Sequence, residues 1–384
     1  MKNKIVVKTL FGLENLLAEE IKILGADDIE IGKRSITCTA DNELIYKINL
    51  HSRFGIRVLK QLERSFVRNE NELYEFVKSI EWERYFKKHY TFAIDSTVHS
   101  DNFNHANYVA LKTKDAVADR LRSKWNFRPD VDKSNPYLLI HVHVNQDGCD
   151  ILLDSTGESL HKRGWRISQN DAPLNEILAA ALVKFSGWTY EQTLIDGMCG
   201  SGTILMEAVS QATATPPGMK RSFTFQNWVD YDEGLFHKVL NEAKQAINNN
   251  IKLDVRGIEI SQKAFFISKK NLLNSGFEKH VKLINGDFFK LNLDLKNSII
   301  ILNPPYGERL EKDEELNTFY KSIGGKLKYD YSGNKAWIFS SNFSAMKNIG
   351  LKPTQKIILY NGALECRYSQ FDLFDGKLKD KSLS

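Results

Sequence analysis

The stretch Ser298-Ile299-Ile300-Ile301-Leu302-Asn303-Pro304-Pro305-Tyr306-Gly307 constrains this chain more than any other. Ile299 to Leu302 is an unbroken aliphatic run, as expected of a strand buried on both faces of a parallel sheet. The strand predicted over 298–302 must stop at Asn303, because tandem prolines cannot donate ladder hydrogen bonds. Pro304 and Pro305 then fix the backbone just past the carboxyl end of the strand, where open α/β sheets bind their ligands. The Asn303 side-chain oxygen and the Pro304 carbonyl are acceptors that can converge on one NH2 group. Tyr306 offers a flat face on which a planar ring can stack. The bland alternative is a proline loop with a surface tyrosine, so the reading depends on what lies upstream.

Upstream, Thr193-Leu-Ile-Asp196-Gly197-Met198-Cys199-Gly200-Ser201-Gly202-Thr203 reads as a strand, a Gly-rich turn and the start of a helix over 204–211. Glycines let the backbone approach a ligand, and a helix N-terminus presents unpaired N–H groups. A dinucleotide fingerprint would need a third glycine where Leu205 stands, and a phosphate-binding P-loop would need a lysine. The turn is therefore poor for pyrophosphate and suited to a compact zwitterion, such as the methionine moiety of S-adenosylmethionine. The next predicted strand ends in Glu259-Ile260, where a carboxylate can accept two ribose hydroxyls. The strand after that is followed by Asp287-Phe288, an acid suited to an adenine amino group with a ring beside it. Each has a plain alternative: Glu259 as a helix cap, and Asn285-Gly286-Asp287 as a turn. The order Asp196, Glu259, Asp287, Asn303 at four strand ends is what makes them one constellation.

Strand–helix alternation runs from about residue 157 to the end, with predicted strands at 192–196, 252–259, 281–284, 298–302, 335–340 and 356–359. Such spacing implies right-handed crossovers and a doubly wound, mostly parallel α/β sheet. A helix over 172–185, opened by Pro173, precedes it. The order β-α-β-β-α over residues 1–55 suggests a ferredoxin-like unit. An α+β unit follows over 56–156. Its predicted helix around 108–125 carries Lys112, Lys114, Arg120, Arg122 and Lys124. That helix reads equally as a phosphate-contacting face and as a solvated face, because Asp115 and Asp119 are interleaved. His141 and His143 share one face of a strand. A metal pair would need a third ligand that the sequence does not offer, so no metal is expected.

The 384 residues carry 53 basic and 48 acidic side chains, a net charge of +5 that permits a polyanionic partner without demanding one. No segment is long and apolar enough to span a membrane, and the N-terminal residues have no signal-peptide pattern. The four cysteines are scattered, with no C-x-x-C pair, which fits a reducing, cytoplasmic setting.

At these residues the chain resembles class I S-adenosylmethionine-dependent methyltransferases that act on exocyclic amines through an N-P-P-Y tip. More narrowly, it resembles the bacterial ribosomal-RNA guanine-N2 methyltransferases that carry a THUMP domain. Phe11-Gly-Leu-Glu-Asn-Leu-Leu-Ala-Glu-Glu is similar to that family's ferredoxin-like unit. Asp154-Ser-Thr-Gly-Glu-Ser-Leu-His-Lys-Arg-Gly-Trp-Arg166 is similar to the junction after THUMP. Ala172-Pro-Leu-Asn175-Glu176 is similar to the helix that closes over the cofactor, and Tyr360-Asn-Gly-Ala-Leu-Glu-Cys366 to a late motif. Gly197 departs from the family's usual proline.

The resemblance implies a ferredoxin-like unit (1–55), a THUMP RNA-binding domain (56–156) and a methyltransferase domain (157–384). It implies S-adenosylmethionine as cofactor and ribosomal RNA as partner. It also implies Asn303, Pro304, Pro305 and Tyr306 as the catalytic tip. The cofactor would be bound by Asn175, Asp196, Met198 to Thr203, Glu259, Ile260, Asp287, Phe288 and Asn303. The chain ends before a second methyltransferase domain could fit, so one transfer activity is expected. Removing residues 1–154 should abolish RNA methylation and spare cofactor binding. Three rivals stand beside this reading: a tRNA guanine methyltransferase, a DNA adenine-N6 methyltransferase, and a non-catalytic RNA-binding assembly factor.

Overall fold

The structure, a computed structural model, describes residues 2–168, 174–305 and 313–374. The chain divides into two compact units.

The first unit gathers Met1–Thr9, Glu14–Leu160 and Arg221–Ala243. Its elements run β1 (Asn3–Thr9), α1 (Glu14–Ile23), β2 (Asp27–Gly32), β3 (Ser35–Ala40), α2 (Asn42–His51), β4 (Gly55–Ser65), α3 (Glu70–Ser79), β5 (Phe92–His99), α4 (Ala106–Trp125), β6 (Leu138–Asn145) and β7 (Gly148–Asp154). The helices start where polar caps precede them. Asp41 accepts from the Leu44 amide at 2.9 Å, and Asn69 accepts from those of Asn71 and Glu72 at 3.0 Å. All seven strands form one sheet in the order β2-β3-β1-β4-β7-β6-β5, so β4 pairs with β1 on one side and β7 on the other. The stretches expected as ferredoxin-like and THUMP units thus share a continuous sheet.

The strand alternation of β6 buries Leu138, Ile140, Val142 and Val144 and turns His141 and His143 to the other face. On that face His141 meets two carboxylates. Its ring lies between Asp95 (3.2 Å) and Asp154 (3.1 Å), and Asp154 also pairs with Arg57. Burial alone would lower the His141 pKa, but hydrogen bonds to the two carboxylates outweigh it, and the imidazolium is favoured. On α4 most of the basic residues have acidic partners. Lys114 pairs with Asp115, Arg120 with Glu83 and Arg122 with Asp119.

The second unit gathers Leu10–Leu13, His161–Lys220 and Lys244–Ser384. Its strands are β8 (Leu194–Asp196), β9 (Val255–Glu259), β10 (Val281–Asn285), β11 (Ile299–Leu302), β12 (Lys335–Ser340), β13 (Gln355–Asn361) and β14 (Leu364–Asp372). Before them comes α5 (Glu176–Phe185), and between them lie α6 (Thr203–Ala212), α7 (Glu233–Gln245, mostly in the first unit), α8 (Gln262–Ser275), α9 (Asp313–Asp330) and the short α10 (Phe343–Met346). The sheet order is β10-β9-β8-β11-β12-β14-β13. From β10 to β12 every pairing is parallel, whereas β14 runs antiparallel between β12 and β13. The sequence reading missed β14. A hairpin around Asn361-Gly362, with Gly362 at φ 65°, sends the chain back into the sheet.

The helix predicted over 172–185 begins at Glu176 instead. Asn175 is its cap, accepting from the amides of Ile177 (2.9 Å) and Leu178 (3.4 Å). Residues 172 and 173 lie outside the described residues. The core between sheet and helices includes Ile195, Ile258, Ile300, Leu302, Tyr320, Ile323 and Ile338, all fully buried.

Candidate active site

Along the carboxyl edge of the second sheet, four neighbouring strands end in polar side chains. In register, Asn285 pairs with Glu259, Gly257 with Asp196, and Asp196 with Ile301. Asp196, Glu259, Asp287 and Asn303 therefore lie at or just past the ends of β8, β9, β10 and β11. These are four successive strands of the chain, and across the sheet they stand side by side in the order β10-β9-β8-β11. Asn303 is half-buried and Pro304 buried, two residues beyond the register partner of Asp196. Tyr306 and residues 307–310 lie outside the described residues.

The Gly-rich turn is pinned from both sides. The Gly197 amide donates to Ile301 O (3.1 Å), and the Cys199 amide to Ile258 O (3.0 Å). The Gly200 amide donates to Glu259 Oε2 (2.9 Å). Glu259 Oε1 accepts from the Ser261 amide (2.8 Å), so each of its oxygens keeps a lone pair for another donor. The helix cap expected as the plain role of Glu259 is supplied instead by Ser261, which accepts from the Ala264 amide. At the far end of the turn, Gly202 opens α6 with φ +81°, and no side chain caps that helix. A Cβ on Gly202 would sit 2.5 Å from Ser268 Oγ, so glycine is required there by both backbone and space. Gly197 is as crowded. A Cβ would lie 2.5 Å from Leu302 and 2.9 Å from the Phe288 ring, and its amide is hydrogen-bonded, so a proline would not fit this packing.

Asp196 is 1% exposed. Burial pushes its carboxyl up to about 7, the Met198 amide (3.3 Å) pulls it down, and Glu259 pushes it up again. An acid held dry beside a second acid is stabilised by a cationic ligand group. Cys199 is buried, and burial, Asp196 and Glu259 raise its thiol well above the ordinary value. It is a small wall residue rather than a nucleophile. Asp287 Oδ1 accepts from the Phe289 amide (2.9 Å). Phe288, expected as a flank for a bound ring, is 4% exposed and packs against Tyr331 beneath the turn. Ile260, 68% exposed, is the apolar side chain that the end of β9 does present.

Two positioning residues were not singled out in the sequence. Asn271 on α8 is fully buried. Its amide donates to Ser201 O (3.1 Å) and Ser168 O (2.9 Å), while its oxygen accepts from the Ile167 and Ser168 amides. One side chain thus ties the Gly-rich turn to the 167–168 strand of chain. The signal was legible: Ala264, Ser268, Asn271 and Ser275 put small and polar residues on the buried stripe of α8, where apolar ones are the norm. Arg166 donates to Thr203 Oγ1 (2.8 Å) and Leu174 O (2.9 Å) and pairs with Glu176 at 3.4 Å, so it links the turn to the start of α5.

Comparison with known proteins matches three stretches of the chain. The family described as RMKL-like, methyltransferase domain, matches residues 163–370, a THUMP domain matches 67–154, and an RlmL ferredoxin-like domain matches 4–59. A Synechocystis protein assigned by name as an RNA methyltransferase is 35% identical over 94% of this chain and 95% of its own. A ribosomal RNA large subunit methyltransferase K/L of Syntrophotalea carbinolica is 33% identical over 94% of this chain. The chain spans about half of that relative's length, 52%. A crystal structure of a methyltransferase complexed with SAH superposes with a TM-score of 0.89 at 27% identity, covering 98% of this chain and 99% of that one. The matched methyltransferase region contains all four polar strand ends, and the chain belongs to the RMKL-like methyltransferase family, with THUMP and ferredoxin-like domains before it.

Proposed function

We propose that this protein transfers a methyl group from S-adenosylmethionine to the exocyclic N2 amine of a guanine in large-subunit ribosomal RNA. The observation that carries the reading is the row of Asp196, Glu259, Asp287 and Asn303 on consecutive strand ends around an uncapped, Gly-rich helix start. Support for the cofactor comes from the SAH-bound structural neighbour, and support for the substrate from the K/L relatives' names. The reading concerns only the half of those relatives that this chain matches.

The residues fit the cofactor's chemistry. The turn amides of Met198 to Thr203 and the α6 N-terminus suit its carboxylate. Asp196 suits its positive charge. The remaining lone pairs of Glu259 suit ribose hydroxyls, and Asp287 with Ile260 suits adenine; Phe288 acts from below, by packing the turn. Asn175, at the cap of α5, is placed to hold that helix start beside the bound molecule. S-adenosylmethionine supplies an electrophilic methyl group.

The chain itself grips the acceptor. The Asn303 amide oxygen and the Pro304 carbonyl accept from the NH2 group, hold its lone pair on line and face the positive charge that grows on nitrogen. Pro305 stiffens the corner, and Tyr306 stacks the base turned out of the RNA. No strong base is required, because an alkylated amine loses its proton readily.

The decisive measurement is transfer of labelled methyl from S-adenosylmethionine to ribosomal RNA, tRNA and duplex DNA, followed by mass spectrometry of the digested product. N2-methylguanosine from ribosomal RNA is the expected outcome. Labelled adenine from DNA, or a guanine labelled only in tRNA, would replace this reading with a rival. Failure to bind S-adenosylmethionine by calorimetry would leave an RNA-binding protein.

A further inference from the structure

In the first unit, well-separated stretches of chain enclose a cleft of about 240 Å³. Its walls include Lys60 and Gln61 on β4, Arg84 and Tyr85 after α3, and Trp228 and Asp230 from the Arg221–Ala243 segment. We propose that this cleft takes one unpaired base of the RNA substrate, stacked on Tyr85. The proposal rests on the RNA reading above and adds to it a recognition contact separate from the transfer site.

Size comes first. Sites that enclose whole small-molecule ligands run to roughly 300–1,000 Å³. This cleft has room for one ring system and not for a nucleotide cofactor. Next come the rings. The indole of Trp228 is buried and already covered by the Lys60 ammonium, 5.1 Å from its centroid, so it serves as wall. Tyr85 is half-buried and braced edge-on by the fully buried Trp82, with centroids 6.2 Å apart at 65°. It is held in orientation before any ligand arrives, which lowers the ordering cost of a stack.

The charges then choose the ligand class. Lys60 is satisfied by Asp230 at 3.1 Å and Arg84 by Glu81 at 2.5 Å. A bare phosphate would compete with those carboxylates for a cation. A neutral planar ring would leave both pairs intact and meet an amide, Gln61, and a carboxylate, Asp230, at its edges. An aromatic floor with hydrogen-bonding edges is how splayed single-stranded bases are read, and duplex RNA offers no such ring.

The test uses the full chain and a single-stranded RNA oligonucleotide carrying 4-thiouridine. Irradiation should cross-link it to peptides containing Tyr85 or Trp228. Tyr85→Ala should weaken binding of the oligonucleotide about tenfold, equivalent to ~1.4 kcal/mol of stacking. Tyr85→Phe should restore binding, and affinities for a fully paired RNA duplex and for S-adenosylhomocysteine should not move. Cross-links elsewhere, with Tyr85→Ala binding like wild type, would overturn the base pocket and leave the RNA reading standing. Equal loss in both variants with weakened duplex binding would make Tyr85 a structural residue and overturn it too. If wild type bound no RNA of any kind, the RNA reading itself would fail.

Discussion

Asp196 shows how a single carboxyl can report on the site. Its pKa in the fold, about 7, stands above the ~3.9 of an unfolded chain. The folded, ligand-free protein is therefore penalised progressively as pH rises from about 4 towards 7, because ionisation must occur in a dry pocket. A cationic ligand reverses that preference. Affinity for S-adenosylmethionine should climb as pH rises through about 7 and then level, while Asp196→Asn should flatten the profile and melt higher than wild type at alkaline pH without ligand. Calorimetry and thermal melts across neutral pH would check both, and a flat wild-type profile would count against the assignment. Asn303 tests the other half of the site. Asn303→Ala removes one of two acceptors facing the amine and should lower turnover on the order of 10²-fold, with S-adenosylhomocysteine affinity within about twofold of wild type. Undiminished turnover would sink the amine grip. The acidic and amide strand ends were legible because each follows an apolar run. For Asn271 only the polar stripe on α8 was legible, and what Asn271 and Arg166 hold was not, because those partners come from segments far away in sequence.

Among the elements, α9 packs through a single missing side chain. A Cβ on Gly324 would lie 1.7 Å from the Ile349 carbonyl oxygen, so the helix can touch the turn after α10 only through glycine. Gly324→Ala should cost about 1–3 kcal/mol or more as the two segments are forced apart. Its neighbour is the control. Gly325 has nothing within 4 Å of a built Cβ, and Gly325→Ala should stabilise the helix by roughly 0.5–1 kcal/mol. Denaturant melts of the two variants moving in the same direction would contradict this packing. Strand ends and helix caps such as Asp41 and Asn69 are local events, and the sequence carries them. The place of β14 between β12 and β13 is not local. Its hairpin turn at Asn361-Gly362 is local, but the neighbour that β14 takes depends on which edge of the sheet was open.

For the molecule as a whole, the segment Arg221–Ala243 changes what a truncation can mean. It falls within the family match to the methyltransferase domain, yet it groups with the first unit. There Phe225 stacks on Tyr46 at 4.4 Å and 26°, with Phe223 and Phe236 buried beside it. Cutting residues 1–154 away would expose those rings. The shortened chain should bind the dye ANS and lose a sharp melt, so its loss of RNA methylation would say little about recognition. A shortened chain that melts cooperatively and binds S-adenosylhomocysteine like wild type would show that the second unit tolerates the loss.

What the sequence determined by itself was whatever depends on neighbours in the chain. Apolar runs stopping at Asp196, Glu259 and Leu302 set the strands, the glycines set the turn, and the prolines set the corner after β11. Only the tertiary structure decided which of these ends stand side by side, that Phe288 lies beneath the turn, and that a segment from the second half of the chain completes the first unit and its cleft. The reason is physical: periodicity records which face of an element is buried, whereas the partner that buries it is fixed by long-range packing that no local window contains.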